Sequence, residues 1–142
     1  MSNLLVQNIK HTNNTTSMAI DTSGQVSVRG EGSATTTNLQ QGLAKVWVNS
    51  AGDGASINDS LNFSSLGDDG TGQYTYNYTN NFNNDDYSST YGTKERSGGA
   101  DFLTAKTGAT YSTSAQEIRC WNYLGNFGDP AHGHATLHGD LA

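Results

Sequence analysis

Residues 61–78 hold two runs of alternating polar and apolar side chains, separated by a segment rich in glycine and aspartate. In the second run Tyr74, Tyr76 and Tyr78 alternate with polar residues. Because successive side chains of a strand point to opposite faces of a sheet, this pattern predicts strands with one buried face. The glycines and aspartates at 67–72 provide the backbone freedom and local hydrogen bonds of a tight turn. The stretch therefore predicts a β-hairpin.

The chain as a whole has few large apolar side chains with which to form a core. Leu, Ile, Val and Phe make up 23 of the 142 residues, whereas Gly, Ser, Thr and Asn make up 64. Thirteen aromatic residues, repeated alternation and a net charge of only −6 favour a folded β protein over a disordered one. The residues expected to form most of the core or a subunit interface are Trp47, Phe63, Tyr74, Tyr76, Tyr78 and Trp121. So thin a core needs further buried area, which favours symmetric self-association.

Turn-forming segments divide the chain into three parts. Residues 1–30 hold three short strand candidates and predict a β-ribbon arm, and residues 31–43 predict a linker. Residues 39–43 could form one helical turn, but Gly42 interrupts it. Residues 44–142 predict an antiparallel β-sandwich of eight or nine short strands. These strands are expected near 44–49, 56–57, 60–66, 73–79, 87–91, 102–103, 110–112, 118–123 and 134–138. The predicted fold class is all-β, with a short N-terminal ribbon followed by a sandwich.

Five sequence segments of the third part stand in a fixed order. They are Val46-Trp47-Val48-Asn49, the run from Asp59 to Ser65, the run Asp69-Gly70-Thr71-Gly72-Gln73-Tyr74, Asp86-Tyr87 and Gly139-Asp140. In order and spacing they resemble a tail-fibre-like β module of marine bacteriophage virion structural proteins, over about two thirds of the chain. The resemblance implies a homotrimeric virion protein that is assembled in the host cytoplasm. Its N-terminal strands would gain their core from sister chains or become ordered on docking to another virion protein.

Three functions fit these features. The first is a short trimeric tail fibre or spike that docks to tail or capsid proteins through its N-terminal arm and attaches to host surface polysaccharide. The second is a capsid decoration knob with the same fold. The third is a polysaccharide depolymerase, which needs two carboxylates on opposing walls of a cleft. Because Asp68-Asp69 and Asp85-Asp86 are adjacent pairs in turn-like segments, we expect no enzymatic activity.

Two long polar loops, at residues 79–86 and 92–101, are where a β scaffold usually binds its ligands. In the first loop Phe82 stands between four asparagines, and a ring can stack on a sugar while amides bond its hydroxyl groups. The alternative is that Phe82 folds back and plugs the end of the sandwich. The receptor-contact candidates are Asn80, Asn81, Phe82, Asn83, Asn84, Lys94 and Arg96.

The segment His132-Gly133-His134 places two imidazoles on one face of a predicted strand. Trimeric phage fibres and spikes bind a metal ion on their axis with His-x-His from each chain, so the resemblance implies His132 and His134 as axial metal ligands. The alternative is that these histidines lie on the outer face of the last strand, opposite Ala135 and Leu137. No other cofactor is expected.

Charge and hydropathy exclude two kinds of partner. The chain is acidic and has no cluster of Lys and Arg to neutralise phosphates, so no nucleic-acid partner is expected. No apolar run approaches the roughly 20 residues of a membrane span, so no membrane insertion is expected. The single cysteine, Cys120, lies between Ile118 and Trp121 and is expected to be a small buried hydrophobic residue.

Overall fold

The computed structural model describes residues 6–29, 36–96, 99–106 and 111–141. Within them the chain forms twelve strands in three antiparallel sheets, together with one helical turn. Two compact units divide at residue 43, Met1–Leu43 and Ala44–Ala142. The predicted all-β class is confirmed. Among the described residues no helix is long and apolar enough to cross a membrane.

The first unit is a four-stranded sheet in the order β1-β2-β3-β4. Its elements are β1 Asn8–Lys10, β2 Thr16–Ile20, β3 Val26–Arg29, β4 Thr36–Asn38 and the helical turn α1 Leu39–Gly42. Strand β4 pairs with β3 and satisfies backbone groups that would otherwise be unpaired on that edge. Asn38 then caps α1 by accepting a hydrogen bond from the N–H of Gln40 at 2.8 Å.

These contacts correct two sequence predictions. The predicted linker at 31–43 contains a strand and a helical turn at residues 36–42, and the sheet has four strands where three were expected. The helical turn that the sequence allowed at 39–43 is present as α1 and includes Gly42. Residues 31–35 of the predicted linker lie outside the described residues.

The second unit consists of two four-stranded sheets, which fit the predicted sandwich. Its strands are β5 Val46–Ala51, β6 Ile57–Leu61, β7 Phe63–Gly70, β8 Gln73–Tyr78, β9 Ser88–Lys94, β10 Asp101–Ala105, β11 Ala115–Asn122 and β12 His132–His138. One sheet has the order β10-β11-β8-β7 and the other the order β6-β5-β12-β9. Residues 111 and 112 are not in a strand, contrary to prediction, and residue 110 lies outside the described residues.

Strands β7 and β8 form the predicted hairpin, with Phe63 opposite Tyr78 and Gly70 opposite Gln73. Leu61 belongs instead to β6, in the other sheet. The chain changes sheets at Asn62, whose φ of 54° is a left-handed conformation that asparagine tolerates better than most residues. The single strand predicted at 60–66 is therefore two strands in different sheets.

The core lies between the two sheets and is rich in aromatic rings. Tyr76 is 1% exposed, and Phe63 packs edge-on against it with a ring-centre distance of 5.2 Å. Tyr74, Tyr78 and Cys120 are also buried, which confirms the predictions for these residues. Trp47 and Trp121 are only half-buried, because alternation along β5 and β11 places both on outer faces.

Candidate functional site

The predicted contact residues are divided between the two ends of the sandwich. The asparagine loop, residues 79–86, lies just before Ser88 at the start of β9, whereas Lys94 ends that strand. Six residue steps along a strand span roughly 20 Å. The structure therefore does not bring the asparagine loop together with Lys94 and Arg96 in one site.

Phe82 is buried at one end of the sandwich, with 1% of its surface exposed. Its ring stacks on Tyr87 at a centre distance of 4.4 Å and meets the edge of Tyr78 at 5.4 Å. Gly139 allows this position, since a Cβ there would lie 3.0 Å from the Phe82 ring. A buried ring cannot stack on a sugar, so the expectation that Phe82 contacts a receptor is wrong. The alternative, that it plugs the end of the sandwich, describes the structure.

Several asparagines of this loop hold the loop itself together. Asn62 Oδ1 accepts hydrogen bonds from the backbone N–H and the side-chain amide of Asn80, at 2.7 and 2.8 Å. Asn84 Oδ1 accepts a bond from the N–H of Asp86 at 3.0 Å. Asn81 and Asn83 are exposed, and that they contact a receptor stays a prediction.

At the opposite end, Arg96 is both a surface cation and a structural residue. Its guanidinium pairs with the buried carboxylate of Asp101 at 3.5 Å and lies against Gly128, where a Cβ would overlap it. The pairing compensates the desolvation of Asp101, which is 6% exposed. Arg96 keeps 42% of its side chain exposed, and Lys94 is exposed beside it at the end of β9. Both cations therefore remain available to a ligand at this end.

The same end displays a group of large apolar side chains, which we call the aromatic end. It consists of Phe102, Trp121, Tyr123, Leu124 and Phe127. Phe102 is opposite Trp121 in the β10–β11 pair, and the Trp121 and Phe127 ring centres are 4.3 Å apart. Phe102, Tyr123, Leu124 and Phe127 are 54, 61, 66 and 40% exposed. Exposed large apolar side chains grouped at one end of a domain are typical of an interaction site.

A short turn fixes the orientation of these side chains. Asn122 Oδ1 accepts hydrogen bonds from the N–H groups of Leu124 and Asn126, both at 3.0 Å. The Asn122 N–H donates to the Asn126 carbonyl at 2.9 Å, and Gly125 takes the positive φ of 78° that closes the turn. Tyr123 and Leu124 are therefore presented from an ordered backbone, which lowers the entropy lost on binding.

The segment after Phe127 is anchored to the sandwich by Asp129. This carboxylate accepts hydrogen bonds from the Gly72 N–H and the Tyr74 hydroxyl, both at 2.7 Å. The single proton of that hydroxyl is shared with the Gly52 carbonyl, which also lies within hydrogen-bonding distance. Burial, and then the bond to Asp129, raise the pKa of Tyr74 far above its ordinary value. The Tyr74 hydroxyl therefore stays protonated and keeps its hydrogen bond to Asp129, which anchors the segment after Phe127.

His132 and His134 lie half-buried on the outer face of β12, where they alternate with buried Gly133, Ala135 and Leu137. Their rings are nearly parallel with centres 6.3 Å apart, and His132 Nδ1 is 3.1 Å from the side-chain amide of Asn58. Within the described chain no group of three potential ligands could hold a metal ion. The placement agrees with the outer-face alternative, and axial metal binding stays a prediction.

Asp68 and Asp69 make short-range hydrogen bonds. Asp68 Oδ1 accepts a bond from the Gly70 N–H at 3.0 Å, and Asp69 Oδ2 accepts one from the Thr75 hydroxyl at 2.7 Å. Both aspartates belong to strand β7 and not to the hairpin turn. Asp85 and Asp86 are exposed in the asparagine loop, which opens at the other end of the sandwich.

The sequence did not predict the aromatic end: Trp121 was expected in the core or a subunit interface, and residues 118–123 were expected to form a strand. One signal was present: the run from Trp121 to Phe127 places four large apolar residues around a glycine in an otherwise polar chain. Phe102 could not be added to the group without the β10–β11 pairing.

Comparisons with known proteins identify a related fold and no family. No protein-family model matches the chain, and no curated protein matches its sequence. Among solved structures it is similar to the phiAB6 tailspike, determined in complex with three-repeated oligosaccharides of Acinetobacter baumannii surface polysaccharide. The TM-score is 0.56 at 9% identity, and the match covers 94% of this chain and 27% of the tailspike chain. The fold is therefore linked to that of a phage tail protein, while no match supports the narrower marine-phage module.

Proposed function

We propose that this protein is a non-enzymatic component of a phage tail spike or fibre, carried on the virion as a homotrimer, that attaches to host surface polysaccharide. The observation that carries the proposal is the aromatic end, an exposed apolar group held on an ordered turn. The polysaccharide class is supported by the fold similarity to a tailspike that was solved with surface oligosaccharides. This chain spans about a quarter of that protein's length.

The chemistry of the aromatic end suits a glycan. Aromatic rings stack on the apolar faces of sugar rings, and Tyr123 adds a hydroxyl that can donate or accept a hydrogen bond. Lys94 and Arg96 lie at the same end and supply donors for hydroxyl or acidic substituents.

The carboxylates at this end support binding rather than hydrolysis. Asp101 is paired with Arg96, and Asp129 accepts hydrogen bonds from Gly72 and Tyr74. These two carboxylates are engaged in the fold, which leaves exposed Glu95 without a second carboxylate partner of the kind that hydrolysis of a glycosidic bond requires. Incubation with purified host polysaccharide should release no new reducing ends, and a steady release would contradict a non-enzymatic role.

Polysaccharide binding by single-site variants tests the attachment surface. Phe102→Ala and Tyr123→Ala should each weaken binding about tenfold or more, since truncating a central contact costs at least 1 to 2 kcal/mol. Leu61→Ala is the matched control, because Leu61 is 48% exposed on β6, outside the aromatic end. Titration calorimetry with capsular or lipopolysaccharide fragments gives the affinities. Equal affinities for all three variants and the parent would overturn the proposed surface.

The position on the particle separates a tail component from the alternative of a capsid decoration knob. Gold-labelled antibody against this chain, imaged on intact virions, should mark the tail tip or its fibres. Label spread over the capsid would favour the decoration protein.

A further inference from the structure

The guanidinium of Arg96 is held in a fixed position beside the aromatic end. Its Nη2 donates to Asp101 Oδ1 at 3.5 Å, and the Arg96 backbone N–H donates to the other carboxylate oxygen at 3.5 Å. The guanidinium also lies against Gly128, where a Cβ would overlap it. Gly128 directly follows Phe127, so this position borders the exposed rings. A larger residue at 128 would displace the guanidinium.

The positive charge of Arg96 is already used within the fold. The side chain of Asp101 is 1% exposed, so water does not stabilise its charge. Arg96 is its ion-pair partner, and the described residues include no other. A ligand carboxylate that competed for Arg96 would bring two anions to one guanidinium and weaken the compensation of the buried one. Arg96 therefore offers little net charge to an acidic ligand.

The hydrogen-bond donors of Arg96 are, in contrast, mostly unused. A guanidinium has five N–H groups, and within the described part of the chain its one side-chain hydrogen bond is that to Asp101. Because 42% of the side chain is exposed, part of this donor set is open to a ligand. A sugar hydroxyl oxygen can accept from it without bringing a charge that competes with Asp101.

The charges around Arg96 do not favour an acidic ligand either. The ionisable residues that contact Arg96, or lie within two positions of it or of Gly128, are Lys94, Glu95, Asp101 and Asp129. With Arg96 they amount to two cations and three carboxylates, a net charge of −1. Residues 44–142 together contain five cations and eleven acidic residues, a net charge of −6. An acidic polysaccharide would therefore meet a negative potential, whereas an uncharged one would not.

We infer that the aromatic end binds uncharged sugar residues and discriminates against acidic ones, with Arg96 as a hydrogen-bond donor to sugar hydroxyl groups. The inference rests on the polysaccharide attachment proposed above and names the class of glycan for that same surface. Stacking on the exposed rings needs no charge and fits the same class. Asp101 and Gly128 are positioning residues, which act through Arg96 and do not contact the sugar.

Two forms of one oligosaccharide test the inference in the full-length protein. Short fragments of host capsular polysaccharide are prepared with C6 of one sugar per repeat as a primary alcohol or as a carboxylate, by carboxyl reduction or nitroxyl-catalysed oxidation. In titration calorimetry the parent should bind the alcohol form about tenfold more tightly or better, since juxtaposed like charges are strongly unfavourable. Equal affinities, or tighter binding of the carboxylate form, would overturn the inference and leave attachment intact. No binding of either form would overturn the attachment itself.

Asp101→Asn tests the effect of the buried carboxylate. Asparagine keeps an acceptor for Arg96 but leaves its charge uncompensated, so the preference for the alcohol form should fall to about twofold or less. Asp85→Asn is the matched control, because it removes the same charge from the exposed loop at the opposite end and should keep the preference. Both tryptophans lie in the second unit, so their fluorescence reports whether each variant is folded. An unchanged preference in folded Asp101→Asn would overturn the inference.

Gly128→Ala keeps every charge and carries the test if Asp101→Asn does not fold. The three atoms nearest to the added Cβ all belong to the Arg96 guanidinium, so the substitution moves that group. Affinity for the alcohol form should fall about fivefold, as expected for one lost hydrogen bond. Gly92→Ala is the matched control, since the nearest atom to a Cβ there is 4.0 Å away. Equal affinities of these two variants would overturn the assignment of Arg96 as the donor.

Discussion

The two units of this protein use different side chains to hold their strands together. Every aromatic residue of the sequence, and every buried residue of its described part, lies in the second unit. There Val48, Tyr76 and Leu137 are buried between two sheets. The first unit has a single sheet, no aromatic residue and no buried side chain among those described. A chain poor in apolar residues has thus concentrated its large rings where a self-contained core is built.

The comparison shows how a sequence with few large apolar residues can still give an ordered protein. Aromatic rings bury more area per residue than aliphatic side chains, so a few of them fill the space between two short-stranded sheets. The first unit has only aliphatic apolar side chains, and none of its described residues is buried. Stability of the second unit is therefore expected to be independent of protein concentration, and stability of the first unit to rise with it.

The largest expected effect comes from alkaline pH, which should act on the second unit alone. Burial raises the pKa of Tyr76 and of Tyr91 to about 12, and raises the pKa of Tyr78 further still. The unfolded chain loses these protons near the ordinary value of 10.0. The free energy of unfolding should therefore be highest below that pH and fall as pH rises through about 12. Tyrosinate absorbance should appear together with loss of near-ultraviolet circular dichroism, and ionisation of all tyrosines near 10.0 in an intact fold would contradict this.

Truncation of a central ring should be the most damaging single substitution. Tyr76→Ala should lower the free energy of unfolding of the second unit by about 3 to 5 kcal/mol, because the cavity between the sheets cannot close fully. Tyr123→Ala, in a side chain that is 61% exposed, should change it by about 0.5 kcal/mol or less. Urea unfolding followed by tryptophan fluorescence measures both. Similar losses in the two variants would mean that the core is not where the burial pattern places it.

Phe82→Ala separates packing from recognition in the asparagine loop. Loss of the Phe82 ring should lower the free energy of unfolding of the second unit by about 3 kcal/mol, because the ring is enclosed by Tyr78, Tyr87 and Gly139. Polysaccharide affinity, measured where the variant is folded, should match the parent. Weakened binding at unchanged stability would return Phe82 to the receptor surface.

Substitutions of Asn62 test the connection between the two sheets and should have a smaller effect than loss of the Tyr76 or Phe82 ring. Asn62→Ala should lower the free energy of unfolding of the second unit by about 2 kcal/mol. The loss comes from strain of alanine in the left-handed conformation and from the missing hydrogen bonds to Asn80. Asn62→Gly keeps the conformation but loses the bonds, and should cost about 1 kcal/mol. Equal losses in chemical denaturation would show that backbone conformation contributes nothing at this point.

Sequence patterns predicted those parts of the fold that depend only on residues close together in the chain. The alternation of Tyr74, Tyr76 and Tyr78 identifies strand β8 and its buried face, because period two is a property of the strand itself. The change of sheet at Asn62 was not predicted, since Leu61 and Phe63 continue the same alternation on either side of it. The fourth strand of the first unit was not predicted either, because residues 36–38 show no alternation of their own and form a strand only by pairing with β3.

The candidate site depended on contacts that sequence spacing does not reveal. A phenylalanine among asparagines can be exposed or enclosed, and Tyr87 and Gly139 decide the outcome for Phe82. The aromatic end required Phe102 and Trp121 to be brought side by side, across a connection of nineteen sequence positions. Lys94 and Arg96 were identified correctly as exposed, whereas the apolar residues beside them were not.

Hydrogen exchange of the unmodified full-length protein over a range of concentrations tests the difference between the units most directly. Backbone amides of β5 to β12 should be equally protected at every concentration, because their core lies within one chain. Amides of β1 to β3 should be protected at high concentration and should exchange rapidly on dilution, as the chains separate. Equal protection of the N-terminal strands at all concentrations, in a protein whose mass falls to that of the monomer, would contradict the account.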